Sequence, residues 1–285
     1  MDALTRLPPL RETIGAHGLD ARKQLGQHFL LDLNLTRRIA RAAGTLQDGT
    51  TIEIGPGPGG LTRALLMEGA GRVVAIEVDR RAIAALGELQ QAADGRLKIV
   101  EADALAVDIS SLGPPPRRIV ANLPYNISTP LLLHWLHNAD AIADMVLMFQ
   151  KEVVDRLVAH PRSKAYGRLS VIAQHVCTVR PLFDIAPSAF VPPPKVTSSV
   201  VRLTPLPADQ RLADLTPLES VTAAAFGQRR KMLRGSLASL FDDPTTVLQS
   251  LGLSPTARAE ELTVADFVRL ANVNGSRQMA MAKRE

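Results

Sequence analysis

The sequence has little of several features that mark particular protein classes. Cys177 is the single cysteine, which excludes an intrachain disulfide and a metal site built from several thiolates. Aromatic residues make up only 4% of the 285 residues, so each exposed aromatic side chain is informative. No stretch approaches the ~20 apolar residues that a membrane span needs. Disulfide-rich and membrane-spanning classes are therefore excluded.

The N-terminal stretch also lacks the apolar core of a signal peptide. Its acidic residues Asp2, Glu12 and Asp20 are untypical of an organelle presequence. We therefore expect a soluble cytoplasmic protein whose residues 1–20 form a flexible arm.

What the sequence does contain is enough apolar material for a globular fold with one sizeable core and a small second domain, since 46% of its residues are hydrophobic. The formal net charge is +5, which favours an acidic partner such as nucleic acid. An alternative explanation is that arginine outnumbers lysine only because of genome composition. The positions of the basic residues are therefore more informative than their number.

Apolar runs of strand length alternate with helical patterns up to about residue 205. This alternation predicts an α/β fold with a mostly parallel sheet covered by helices on both faces. Strands are expected at 50–54, 73–78, 97–100, 118–122, 145–149, 179–185 and 198–203, the last antiparallel. The prolines of 204–210 indicate a linker, and the pattern beyond them is helical. We expect a catalytic domain at 21–205, a helical RNA-binding domain at 211–273 and a disordered tail at 274–285.

A glycine-rich loop, Glu53–Gly60, follows the first strand of this sheet and opens a helix. Gly55 and Gly57 let the backbone pass close to a ligand, and Glu77 at the end of the next strand can accept hydrogen bonds from ribose hydroxyls. A carboxylate at Glu53 is ill suited to a pyrophosphate but suits a ligand with an ammonium and a sulfonium. These features favour S-adenosylmethionine, with a dinucleotide-dependent dehydrogenase as the residual alternative.

Two further loops at the same sheet edge carry polar groups. Asp103, after the third strand, is placed to accept from the adenine amine of the cofactor. The tetrad Asn122-Leu123-Pro124-Tyr125 follows the fourth strand. Asn122 Oδ1 and the carbonyl of Leu123 or Pro124 can accept hydrogen bonds from an exocyclic amine, and Tyr125 can stack on its ring. The alternative is an ordinary asparagine turn before a proline.

These motifs together resemble, nearly end to end, the KsgA (RsmA) family of small-subunit ribosomal RNA adenine N6,N6-dimethyltransferases. The resemblance rests on the segments Lys23–Leu30, Glu53–Gly60, Asn122–Ser128, Phe149–Val153, Ser163–Arg168, Phe190–Val196 and Phe226–Lys231. It implies a class I methyltransferase sheet with a helical C-terminal domain. It also implies an S-adenosylmethionine pocket lined by His28, Leu30, Gly55, Glu77, Asp103 and Asn122. The family often has asparagine at the position of His28, which leaves open whether this contact is made by the side chain or the backbone.

The family's substrate is a pair of adjacent adenosines in a hairpin loop near the 3′ end of small-subunit rRNA, each of which receives two methyl groups. An unstacked loop base can enter a pocket without opening a duplex. Phe190 and Tyr125 would then be the aromatic faces that hold the base, although Phe190 could instead be a core residue at a strand edge. No general base is expected, because the methylated nitrogen is cationic and can lose its proton to water.

Basic clusters are the expected RNA contacts, since such groups bind phosphates without reading sequence. The candidates are Arg22, Lys23, Arg229, Arg230, Lys231 and Arg234. The expected partner is small-subunit rRNA within the 30S particle, bound by a monomer without a metal. Three other functions stay open: a large-subunit rRNA adenine methyltransferase of the macrolide-resistance type, a DNA adenine methyltransferase, and a chiefly non-catalytic assembly factor for the small subunit.

Overall fold

A seven-stranded, mostly parallel β-sheet is the framework that positions the site. The computed structural model describes residues 3–19, 28–228 and 230–282. The strands are β1 (Phe29–Leu30), β2 (Thr50–Ile54), β3 (Val73–Glu77), β4 (Leu97–Glu101), β5 (Arg117–Asn122), β6 (Asp144–Gln150), β7 (Cys177–Ile185), β8 (Phe190–Val191) and β9 (Ser198–Pro205). The large sheet has the order β4-β3-β2-β5-β6-β9-β7, and β1 pairs with β8 in a separate two-stranded ladder. The predicted α/β fold is confirmed.

Helices connect these strands and continue beyond them. They are α1 (Ala3–Arg6), α2 (Leu10–Ala16), α3 (Leu33–Ala42), α4 (Gly60–Met67), α5 (Arg80–Ala85), α6 (Gly87–Ala92), α7 (Ser128–His137), α8 (Lys151–Leu157), α9 (Arg168–Val176), α10 (Thr216–Gly227), α11 (Leu233–Ser236), α12 (Pro244–Ser250) and α13 (Val264–Ala282). None of the described helices is long and apolar enough to cross a membrane.

The central strands are buried and rich in β-branched residues, as expected for a parallel sheet covered on both faces. All five residues of β2 and all five of β3 are buried, as expected for strands covered by helices on both faces. Strands β2, β3, β4, β5 and β6 run parallel in neighbouring pairs, whereas β9 pairs antiparallel with β6. Because parallel strands end at one edge, the loops after β2, β3, β4 and β5 meet there.

Contacts between residues divide the chain into two units, Met1–Val154 with Arg180–Pro205, and Asp155–Val179 with Leu206–Glu285. The division near residue 205 matches the expected linker. The grouping of Asp155–Val179 with the second unit differs from our expectation that residues 21–205 form one domain. The reason is α9, a helix that the sequence pattern did not reveal: Val171 belongs to the same hydrophobic core as Leu218 and Phe267.

Residues 3–19 and 274–282 are more ordered than the sequence predicted, while residues 1–2, 20 and 283–285 of the expected arm and tail lie outside the described residues. The expected flexible arm contains α1 and α2, and its Leu4 and Leu19 are buried. The expected disordered tail from residue 274 is wrong for 274–282, because α13 continues through Ala282. Within that segment Asn274 is buried, and Arg277 donates to the carbonyl of Leu240.

Candidate functional site

A cleft of about 270 Å³ lies at the edge where the parallel strands end. Nine of the predicted site residues line it: His28, Gly55, Gly57, Glu77, Asp103, Asn122, Leu123, Pro124 and Tyr125. Leu30, Glu53 and Phe190 do not line this cleft, and their positions are described below. All these residues belong to the first of the two units.

The glycine-rich loop forms the floor of the cleft between β2 and α4. Gly57 has a φ of +53°, in the left-handed region, and a Cβ at this position would lie 3.1 Å from Phe29 Cε1. A side chain at residue 57 would therefore be strained and would press on β1. This geometry lets the loop backbone approach a ligand in the cleft.

Glu77 ends β3 and faces the cleft with a carboxylate held by the backbone. Its Oε1 accepts hydrogen bonds from the amides of Val78 (2.8 Å) and Asp79 (2.9 Å), and its Oε2 accepts from the amide of Gly57 (3.2 Å). The carboxylate is thus oriented before any ligand binds, and it ties the glycine loop to the end of β3. The remaining lone pair on Oε2 suits a hydroxyl donor of a ribose.

Asp103 lies in the loop after β4, two strands away in the sheet from β2, which the glycine loop follows. Its Oδ1 accepts a hydrogen bond from the amide of Leu105 (3.0 Å), which caps a short 3₁₀ turn. The residue is exposed, and its second carboxylate oxygen remains available to an amine donor.

Glu53 is the site residue whose environment differs most from the prediction. It is only 1% exposed, and it borders a smaller cavity of about 30 Å³ beneath the glycine loop. The pKa of its carboxyl is raised to about 8, chiefly by burial and also by the charge of Glu77, while hydrogen bonding from Thr62 partly offsets the shift. Its Oε2 has no hydrogen-bond partner among the described residues. The expected carboxylate is therefore a mostly neutral acid at pH 7 until a cation reaches it.

Asn122 ends β5 with its side chain in a defined orientation. Its Nδ2 donates a hydrogen bond to the backbone carbonyl of His28 (3.2 Å), so Oδ1 is the acceptor that remains. The carbonyl of Pro124 accepts from the amide of Ile127 (3.2 Å) and closes the turn. Of the two carbonyls considered from the sequence, that of Leu123 is therefore the better placed to accept from a ligand.

The aromatic residues that line the cleft are Tyr125, His28 and Phe29, whereas Phe190 does not line it. The Tyr125 hydroxyl bonds Ser198 Oγ (2.6 Å), and burial raises the pKa of this phenol, which keeps it neutral. The imidazole of His28 lies 5.6 Å from the Tyr125 ring, tilted by 34°, and its Nδ1 lies 2.8 Å from the carbonyl oxygen of Pro192. Since a carbonyl only accepts, Nδ1 carries the proton of this bond.

Phe190 is a core residue, so the expectation that it forms an exposed face is wrong for this structure. It is 2% exposed and belongs to the hydrophobic core of the first unit. It pairs with Leu30, also buried, across the β1–β8 ladder, and its ring lies 6.5 Å from the His28 ring in an edge-to-face arrangement. The Lys23–Leu30 motif predicted His28 as a residue of the cofactor pocket. It did not predict that the His28 ring would lie beside Tyr125 as an aromatic face of the cleft.

Three of the predicted RNA contacts, Arg22, Lys23 and Arg229, lie outside the described residues. Arg230, Lys231 and Arg234 are exposed and have no ion pair within the described ranges. Arg230 and Lys231 precede α11, which begins at Leu233, and Arg234 lies within it. Elsewhere in the described chain, no group of three or more His, Cys, Asp or Glu side chains is arranged to hold a metal ion.

Known proteins are similar to this chain in sequence and in fold. A model of the family described as ribosomal RNA adenine dimethylase matches residues 18–274. Ribosomal RNA small subunit methyltransferase A of Paramagnetospirillum magneticum is 63% identical over 96% of this chain and 97% of its own. A dimethyladenosine transferase from Plasmodium falciparum has a solved structure with a TM-score of 0.76 and 27% identity, over 87% of this chain and 98% of that one. The structure of the 23S rRNA methyltransferase ErmE gives a TM-score of 0.63 and 26% identity, over 86% and 98%. The chain therefore belongs to the ribosomal RNA adenine dimethylase family.

Proposed function

We propose that this protein methylates N6 of two adjacent adenosines in a hairpin loop near the 3′ end of small-subunit rRNA, placing two methyl groups on each. S-adenosylmethionine is the methyl donor, and its sulfonium supplies an electrophilic methyl group. The observation that carries the proposal is the pair of acceptors at the end of β5: Asn122 Oδ1, oriented by the Nδ2 bond to His28, and the Leu123 carbonyl beside it.

The residues around the cleft fit this cofactor. Glu77 offers an oriented carboxylate to the ribose hydroxyls, and Asp103 offers an oxygen to the adenine amine. Glu53, with its unpartnered Oε2 at the buried end of the glycine loop, suits the ammonium of the amino-acid end. A buried acid that loses its proton to meet a cation gains a strong pairing, since few waters compete there.

The target amine is held by Asn122 and Leu123. Two acceptors that bind its hydrogens favour a pyramidal nitrogen whose lone pair points at the donor methyl, which is stabilisation of the transition state rather than of the ground state. Tyr125 offers its ring for stacking, while the His28 imidazole packs beside it. Phe190 supports His28 from the core and does not touch the base. The methylated nitrogen loses its proton to water, and the residues contribute alignment.

The surface cations of the second unit are the proposed phosphate contacts. Arg230, Lys231 and Arg234 are exposed and unpaired within the described ranges, as groups that bind a polyanion must be. We include Arg22, Lys23 and Arg229 as phosphate contacts on the basis of the sequence alone. The proposed substrate is the rRNA within a 30S particle in the cytoplasm, bound by a monomer without a metal.

The large-subunit alternative draws on the 23S rRNA methyltransferase ErmE, whose fold is similar. Against it stands the far higher identity to a protein named small subunit methyltransferase A. An assembly factor that only binds the subunit would not need the acceptor pair at β5.

The test is transfer of radiolabelled methyl groups to undermethylated small subunits, with large-subunit RNA as the competing substrate and the modified base identified by mass. We expect N6,N6-dimethyladenosine in the small-subunit RNA only. Asn122→Ala should lose transfer by at least about 100-fold, the usual scale for an oriented polar group in a transition state. The exposed Asn272→Ala serves as the matched control. Label found only in large-subunit RNA would refute the small-subunit assignment, and an Asn122→Ala protein that rescues subunit assembly would give the binding role primacy.

A further inference from the structure

The N-terminal segment Ala3–Leu19, here called the strap, is fixed to the first unit by apolar anchors. Leu4 is fully buried in the same core as α4, and Leu19 is buried with Ala82 and Ala85 of α5. These two anchors lie near the two ends of the strap. A segment held at both ends follows one path across the surface that it covers.

Two arginines hold the strap between those anchors. Arg63 on α4 donates from Nη1 to the carbonyl of Pro8 (2.9 Å) and from Nη2 to the carbonyl of Leu7 (3.0 Å), and Arg81 donates to the carbonyl of Gly18 (3.1 Å). Arg63 is partly buried, and this burial lowers its pKa from the usual arginine value. Placing a guanidinium there is costly, so its two bonds to the strap are the compensation that the structure provides.

Leu10 is the strap residue that reaches the cofactor loop. A Cβ at Gly60 would lie 2.8 Å from Leu10 Cδ2 and 3.0 Å from the Leu30 carbonyl oxygen, so residue 60 must be small for both to approach. Leu10 also lines the small cavity that Glu53 borders, together with Phe29 and Leu30 of β1. The strap therefore supplies one wall of the cavity that Glu53 also lines, and Oε2 of Glu53 is buried without a hydrogen-bond partner among the described residues.

We propose that the strap is a fixed wall of the methyl-donor site, in which Leu10 shields the ammonium subsite at Glu53 from water and Arg63 is the positioning residue that holds Leu10 there. The proposal rests on the proposed function, because it assigns this subsite to the amino-acid end of S-adenosylmethionine.

The physical basis is the dependence of an ion pair on its surroundings. An ammonium and a carboxylate attract each other far more strongly when water is excluded than when it hydrates both. Leu10 lines the same cavity as Glu53, and its apolar side chain would keep water out of that space. The strap should therefore raise affinity only for ligands that carry the ammonium, and it should leave binding of the adenosine part unchanged.

The experiment compares two probes by calorimetry on the full-length protein: S-adenosylhomocysteine, which has the amino-acid end, and 5′-methylthioadenosine, which lacks it. We expect Leu10→Ala and Arg63→Gln to weaken S-adenosylhomocysteine about fivefold, the loss of a partly shielded ion pair, with methylthioadenosine unchanged. Leu10→Met should restore most of the affinity. Arg11→Gln, which removes an exposed arginine from the strap itself, is the matched control.

Each outcome decides the matter. General damage to the fold would weaken both probes equally, and that result, or unchanged binding of both, would overturn the proposal. A wild-type protein that bound neither probe would instead overturn the methyl-donor site, and the proposed function with it.

Discussion

Release of one proton from Glu53 is the sharpest consequence of the proposed cofactor site. The pKa of this carboxyl is about 8, so about nine in ten molecules carry the proton at pH 7. If the ammonium of the ligand pairs with the carboxylate, binding must displace that proton. We expect S-adenosylhomocysteine to release about 0.9 proton per molecule bound at pH 7, at a cost of about 1.4 kcal/mol.

Calorimetry in buffers of different ionisation enthalpy measures this release, because the released proton is taken up by the buffer. Affinity should also rise about tenfold from pH 6 to pH 7, since the deprotonated fraction of Glu53 rises about tenfold per pH unit below the pKa. The ligand amine does not interfere over this range, because an α-amino group titrates at about 8 and therefore stays mostly protonated between pH 6 and pH 7. Glu77, on the neighbouring strand, is the charged group that acts on Glu53, and like burial it raises the pKa of the Glu53 carboxyl.

Glu53→Gln is the control, since it keeps the shape and removes the proton equilibrium. We expect it to bind without buffer-dependent heat and with an affinity that does not change between pH 6 and pH 7. Equal proton release from the wild type and from Glu53→Gln would show that another group titrates, and the assignment of Glu53 to the ammonium would be wrong.

Further predictions concern stability and RNA. The folded pKa of Glu53 lies above the unfolded value, so this group gives stability that is present below pH 4.5 and is lost as pH rises towards 8. In urea unfolding, the ligand-free wild type should therefore lose about 1.4 kcal/mol per pH unit relative to Glu53→Gln across this range. Phe190→Ala should lose about 3–5 kcal/mol of unfolding free energy, whereas Phe190→Leu should retain methyl transfer; a stable Phe190→Leu protein without activity would restore the base-clamping role. Replacement of Arg230 and Lys231 by alanine should reduce the slope of log affinity against log salt by about 1.4 for loop RNA, and an unchanged slope would count against their phosphate contacts.

The sheet could be predicted because its signals are local. Fully apolar runs such as Val73–Ile76 and the glycines after β2 each constrain a few consecutive residues, and the strand–helix alternation then leaves few topologies. The strap could have been found by the same means. Leu4, Leu7, Leu10 and Ile14 recur at the spacing of one helix face, although Pro8 and Pro9 interrupt the pattern.

The chemical state of the site could not be predicted, because it depends on residues distant in the chain. An acid before a glycine loop is visible in the sequence, but whether Glu53 is ionised depends on its enclosure by Leu10, Leu30 and Thr36. In the same way, an aromatic residue before a proline run is visible, but Phe190 is buried only because β8 pairs with β1. Burial is a tertiary property, and it decides both cases.

His28 makes two hydrogen bonds that link Asn122, the proposed ligand of the target amine, to the segment after β8. Its carbonyl accepts from Asn122 Nδ2 and so determines which Asn122 atom is left to bind the target amine. Its ring nitrogen bonds Pro192, next to the β8 strand that pairs with β1. A substitution at residue 28 removes the second bond and keeps the first, because the carbonyl belongs to the backbone. The orientation of Asn122 therefore depends on the path of the chain at residue 28 rather than on which side chain stands there, and the β1–β8 ladder is what maintains that path.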